Sequence, residues 1–92
     1  MSRFSFPRAE HRAALLAKIQ ERLRARDLTL EVVERGLNHY RCQYKFGLRR
    51  SDEPWRELPI HFQFAVRLEQ GNEAVLNRIV DRFLTRYFGQ PS

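Results

Sequence analysis

Residues 39 to 50, HYRCQYKFGLRR, alternate in character almost from end to end. Tyr40, Cys42, Tyr44, Phe46 and Leu48 are apolar or aromatic; His39, Arg41, Gln43, Lys45 and Arg49 are polar and mostly basic. Side chains of a strand point alternately to its two faces, so a period of two marks a strand with one face on a core and one in water. A chain built around such a segment must make a one-sided sheet and supply something apolar to cover its dry face.

Two further stretches read the same way. In LTLEVVERG, Leu28, Leu30 and Val32 alternate with Thr29, Glu31 and Val33. In IHFQFAVRLE, Ile60, Phe62, Phe64, Val66 and Leu68 alternate with His61, Gln63, Ala65, Arg67 and Glu69. Gly36 and Asn38 carry the turn chemistry for a reversal between the first two strands. Matching apolar faces across that turn sets Val32 near Cys42, Leu30 near Tyr44 and Leu28 near Phe46. RSDEPWRELP, bracketed by Pro54 and Pro59, reads as the loop before the third strand.

The cover comes from two helical patterns. Pro7 suits a first helical turn, and Leu15, Leu16, Ile19 and Leu23, extended by Ala13, recur at helical spacing over about residues 7 to 26. Lys18, Arg22, Arg24 and Arg26 fall in the half of that helix where its dipole favours cations. The second helix takes Asn72 as N-cap, presents Leu76, Ile79, Val80, Phe83, Leu84 and Tyr87, and ends at Gly89 and Pro91. The expectation is one α+β domain over residues 1–92, ordered α-β-β-β-α. Its fold is a three-stranded antiparallel meander with two helices packed on one face. The other face then lies open, lined by Thr29, Glu31, Val33, Arg35, Gln43, Gln63, His61 and Glu69 together with the basic residues of strands two and three.

Composition says what that face could meet. Seventeen basic residues against eleven acidic give a formal charge of +6. Fifteen of the seventeen are arginine; Lys18 and Lys45 are the exceptions. Arginine offers a planar fork of donors that grips phosphate or carboxylate and stacks on rings. A GC-rich genome would also raise its share. Hydrophobic content of 42% argues for a folded chain, and no apolar run is long enough for a membrane span. A polar N-terminus without a signal sequence and the single cysteine, Cys42, point to the cytoplasm. Its place on the apolar side of strand two predicts a buried, inert thiol.

Catalysis finds no footing. The register above sends His39 and His61 toward opposite ends of the sheet, and His11 sits apart in the first helix. No zinc spacing, Gly-rich phosphate loop or nucleophile elbow occurs. No catalytic residue, metal site or cofactor is expected, and the chain reads as a non-enzyme. Binding has more to build on. Arg41, Lys45, Arg49 and Arg67 project from the open face with His39 beside them. Arg78, Arg82 and Arg86 recur every four residues as a ridge on the last helix, with Asp81 as an intrahelical partner if that ridge is only a solvated face. The aromatic residues point into the core, which argues against a base-stacking sheet. Trp55, alone in its polar loop, either folds over the core edge or serves as an exposed contact anchor.

The stretch RLRARDLTLEVVERGLNHYRCQYKF and the α-β-β-β-α order resemble double-stranded RNA-binding domains. Gly36 and His39 match the spacing of the family's loop Gly and His, which reach an RNA minor groove. Leu37 stands where the family has proline, and the lysine cluster that opens the family's last helix is replaced by Asn72, Glu73, Ala74 and Val75. The resemblance implies a basic module applied to nucleic acid, RNA ahead of DNA, or to a ribonucleoprotein complex. In size, charge and lack of an active site the chain is also similar to phage-encoded inhibitors of CRISPR effector complexes, which suggests an inhibitor or adaptor docked on a nucleoprotein machine. A homodimer through an exposed sheet edge is a third expectation.

Overall fold

A computed structural model describes residues 9–89. Helix α1 spans Ala9–Arg26, strands β1, β2 and β3 span Leu30–Asn38, Gln43–Arg50 and Arg56–His61, and helices α2 and α3 span Phe62–Glu69 and Ala74–Phe88. The strands form one antiparallel sheet in the order β1-β2-β3. The α+β meander is as expected, with one helix more. Pro7 and Pro91, assigned to helix termini, lie outside the described residues.

Tyr44, Phe46 and Leu48 of β2 are buried, as are Leu58 and Ile60 of β3 and Leu30 of β1. They meet Leu15, Ile19 and Leu23 of α1 and Leu76, Val80 and Leu84 of α3 in one cluster. Both long helices therefore serve the same face of the sheet. Removing a ring such as that of Phe46, which is fully buried, costs about 3–5 kcal/mol. Ala13, placed on the buried stripe of the first helix, is exposed instead; four-residue steps from His11 to Leu23 make a narrower seam.

The first hairpin departs from its expected register. Leu30 pairs with Arg50, Val32 with Leu48 and Glu34 with Phe46. The reversal occurs at His39–Cys42, because Asn38 closes the ladder against Gln43 and its Oδ1 accepts from the Arg41 amide at 3.2 Å. Gly36 is a strand residue beside a bulge, with φ 103°. The bulge inserts Arg35 and resets the alternation, so that Leu37 pairs with Tyr44 rather than facing water. Three expectations fail with the register. Leu28 and Tyr40 are exposed at 84% and 102%. Cys42 is an exposed thiol in the turn, with φ 54°.

The third strand is also displaced. RELPIH pairs with β2 over Gln43↔His61 to Leu48↔Arg56, and the residues assigned to a strand from Phe62 onward form α2. FQFAVRL satisfies both periods, and local chemistry decides between them: His61 Nδ1 accepts from the Gln63 amide at 3.1 Å and caps a helix there. Gly71 (φ 84°) and Asn72 then close α2, with Gly71 N–H donating to Leu68 O and Asn72 N–H to Arg67 O. Asn72 is thus committed to the end of α2, and Glu73 takes the N-cap position of α3 without a side-chain capping bond. Gly89 does close α3, as the sequence suggests, with φ 82° and its N–H on Thr85 O.

Candidate nucleic-acid interface

Helix α3 sorts its residues into four rows, because four residues advance about 6 Å and rotate only about 40° beyond a full turn. Leu76, Val80, Leu84 and Phe88 are buried. Asp81 and Thr85 face α1. Ile79, Phe83 and Tyr87 line a groove beside Pro59 of β3. Arg78, Arg82 and Arg86 stand outermost and exposed.

The flank toward α1 is held by a matching row of cations. Lys18 Nζ meets Glu73 at 2.9 Å, Arg22 bridges both carboxylate oxygens of Asp81, and Arg26 donates to Thr85 Oγ1 at 2.8 Å and to Gly89 O at 2.6 Å. The contacts ascend together along both helices, so α1 and α3 run parallel. Arg50 adds a donor to Phe88 O at 2.8 Å, satisfying another carbonyl at the end of α3. Lys18 is consequently held above its ordinary pKa by Glu73 first and Glu21 second. Glu73 is held below the usual carboxylate range by Lys18. Asp81's hydrogen bond likewise strengthens the protonated state of Arg22. Of the four cations read from sequence as dipole partners of α1, Lys18, Arg22 and Arg26 are its clamps on α3, and Arg24 is exposed on the side toward β1.

The clamp has an electrostatic consequence. Asp81, the carboxylate expected to neutralise the ridge from within, is turned to Arg22. Among the described residues no acid pairs with Arg78, Arg82 or Arg86. Beside them Phe83 and Tyr87 pack with ring centroids 4.7 Å apart. The guanidinium groups of Arg56 and Arg86 lie 5.0 and 5.5 Å from the Tyr87 ring centre, and Tyr87 remains 40% exposed.

The open face of the sheet is different. Among the described residues no helix covers it, but Arg49 Nε donates to Glu31 at 2.9 Å and Lys45 lies 3.7 Å from Glu57. Trp55 lies neither at the core edge nor as a bare anchor. It is half-buried with its ring centre 4.3 Å from the Arg49 guanidinium and 5.9 Å from that of Arg35. Gly47 leaves the room for this: a Cβ there would stand 3.1 Å from Arg35 Cγ.

The remaining candidates scatter. Arg67 is on α2, stacked near Phe64 at 5.6 Å, and so does not belong to the sheet face. Arg41 and His39 sit in the exposed hairpin turn. His61 pairs with Gln43, which brings it to the same end of the sheet as His39 rather than the opposite end. Its Nδ1 is spent on the α2 cap. His11 is buried and hydrogen-bonded to Glu69 at 2.6 Å. No cluster of three potential metal ligands occurs among the described residues, and no described helix is long and apolar enough to cross a membrane.

Of the nine binding candidates, Arg41 and His39 share the hairpin turn, while Arg78, Arg82 and Arg86 form a row of three on one element, none in an ion pair with a described acid. Arg56 and Tyr87 join them and were missed, though Ile79, Phe83 and Tyr87 repeat the ridge's own spacing one residue along. Comparison with known families, characterised proteins and solved structures yields no match.

Proposed function

We propose that this chain is a non-enzymatic binding module that applies the outer face of α3 to the phosphate backbone of nucleic acid. The observation that supports the reading is the pairing of Asp81 with Arg22, which leaves three arginines in register and none of them in an ion pair with a described acid, although Asp81 borders the same surface. Successive guanidinium groups about 6 Å apart along the helix can each displace a counterion from a phosphate, the main source of affinity for a polyanion. RNA ranks ahead of DNA on the resemblance to double-stranded RNA-binding domains. The location of the site differs from that resemblance, since Gly36 lies in β1 and the basic residues occupy the middle and end of the last helix.

A fluorescence-anisotropy titration with labelled RNA and DNA oligonucleotides across a salt series tests the reading. Binding that weakens steeply with salt, and loses much of that steepness when Arg78, Arg82 and Arg86 are replaced by alanine, supports it. Absence of binding to either polymer at low salt rules it out and leaves docking on a protein as the account of the ridge.

A further inference from the structure

Resting on that reading of α3, we infer that the site takes nucleic acid with unpaired bases, through the apolar groove between α3 and the edge strand β3. The groove has an apolar floor of Pro59, Ile79, Phe83 and Tyr87, and Arg82 and Arg86 border it. Those two arginines also belong to the outer ridge. A strand laid along α3 therefore sets its phosphates over Arg78, Arg82 and Arg86 and its bases over the adjacent row of rings.

Two features fit bases rather than backbone alone. The Phe83–Tyr87 pair, at 4.7 Å, presents aromatic surface beside unneutralised charge. Arg56 and Arg86 lie over the Tyr87 ring at 5.0 and 5.5 Å, which sets two cations against an aromatic side chain that stays 40% exposed. Glu57, the acid at the rim of the groove, lies against Lys45 at 3.7 Å. A duplex keeps its base faces stacked inside and would cover the arginines while leaving the apolar floor in water. A single strand covers both, and stacking on aromatic rings serves any base, so the site should tolerate sequence. Unpaired RNA and unpaired DNA share this chemistry.

The test compares a labelled single-stranded RNA, the DNA of the same sequence, and the duplex form of each, on wild type, Tyr87→Ala, Tyr87→Phe and the triple Arg78→Ala/Arg82→Ala/Arg86→Ala. The single strands are expected to bind at least several-fold tighter than the duplexes. Tyr87→Ala is expected to weaken single-strand binding by roughly ten-fold and duplex binding by less, and Tyr87→Phe to retain most of the single-strand affinity. With wild-type protein, ultraviolet crosslinking to a 5-bromouridine strand is expected to label the peptide carrying Phe83 and Tyr87. A gap of two-fold or more between RNA and DNA single strands would identify the natural source. Duplex bound as well as single strand, or crosslinks confined to other peptides, overturns the inference while the reading of α3 stands if the triple variant still loses binding. Failure of every oligonucleotide to bind at low salt overturns both.

Discussion

The open face of the sheet and the outer face of α3 carry similar basic residues, and the chain treats them in opposite ways. On the sheet, Arg49 and Lys45 are answered across the ladder by Glu31 and Glu57, and Trp55 lies over Arg49. On α3, Asp81, the acid within the helix beside the ridge, is ion-paired with Arg22 of the neighbouring helix. Net positive charge is thus a poor guide to a binding surface. What matters is where the acids go, and that is settled by packing between α1 and α3 rather than by the spacing of the arginines.

The contrast breaks most visibly if the two faces are stripped in turn. Alanine at Arg78, Arg82 and Arg86 together should weaken nucleic-acid binding by on the order of ten- to a hundred-fold at low salt. Alanine at Lys45 and Arg49 together should change it less than three-fold, both read by anisotropy titration. Equal losses would merge the two faces into one basic surface.

A subtler pair of substitutions works on Asp81. Arg22→Met releases that carboxylate toward the ridge and should lower affinity by about three- to ten-fold, although Arg22 itself does not line the site. Asp81→Asn should raise affinity by a similar factor. Both should cost stability of only about 1 kcal/mol in urea unfolding, because the ion pair is part-exposed and screened. If Arg22→Met leaves affinity unchanged, the diversion of Asp81 has no bearing on binding.

The sheet face is sharpened by Trp55→Ala. Loss of a half-buried ring and its arginine contacts should destabilise the fold by about 1–2 kcal/mol, with nucleic-acid affinity at low salt held within two-fold. A large loss of affinity there would move the site to the sheet.

The smallest expected effect is a pH dependence of stability. Glu73 is depressed by Lys18, and Asp27 is depressed first by hydrogen bonds from Thr29 and then by Arg50. A depressed carboxylate contributes stability that is present above its unfolded pKa, about 4, and is lost as pH falls through the lower folded value. Urea midpoints should therefore drop on acidification below about pH 4, and Glu73→Gln should remove part of that drop.

Much of this architecture was legible in the sequence, and the parts that were not have physical causes. The inward set Tyr44, Phe46 and Leu48 was visible because β2, flanked by a strand on each side, has a strict period of two. The stripe from Leu15 to Leu23 was visible because one face of α1 alone is buried. Misreadings fell where a segment satisfies two periods or where one residue shifts the phase. FQFAVRL alternates and is also amphipathic as a helix, and the His61 cap decided it. The ladder runs on to Asn38↔Gln43 and the turn falls at His39–Cys42, which turns Tyr40 and Cys42 from core residues into exposed ones. In the candidate site, the arginine ridge could be read from its four-residue spacing. The partner of Asp81 could not, because Arg22 lies 59 positions away along the chain. Nor could Arg56, whose approach to Tyr87 depends on the placement of β3 beside α3.

The most direct measurement is the slope of log affinity against log salt for wild type and for the Arg78→Ala/Arg82→Ala/Arg86→Ala variant on one single-stranded oligonucleotide. Each arginine paired with a phosphate of a single strand adds about 0.7 to the slope, so removing all three should reduce it by about 2. An unchanged slope, or no measurable binding by the wild type even in dilute buffer, would contradict the account of α3 as a surface left unneutralised for a polyanion.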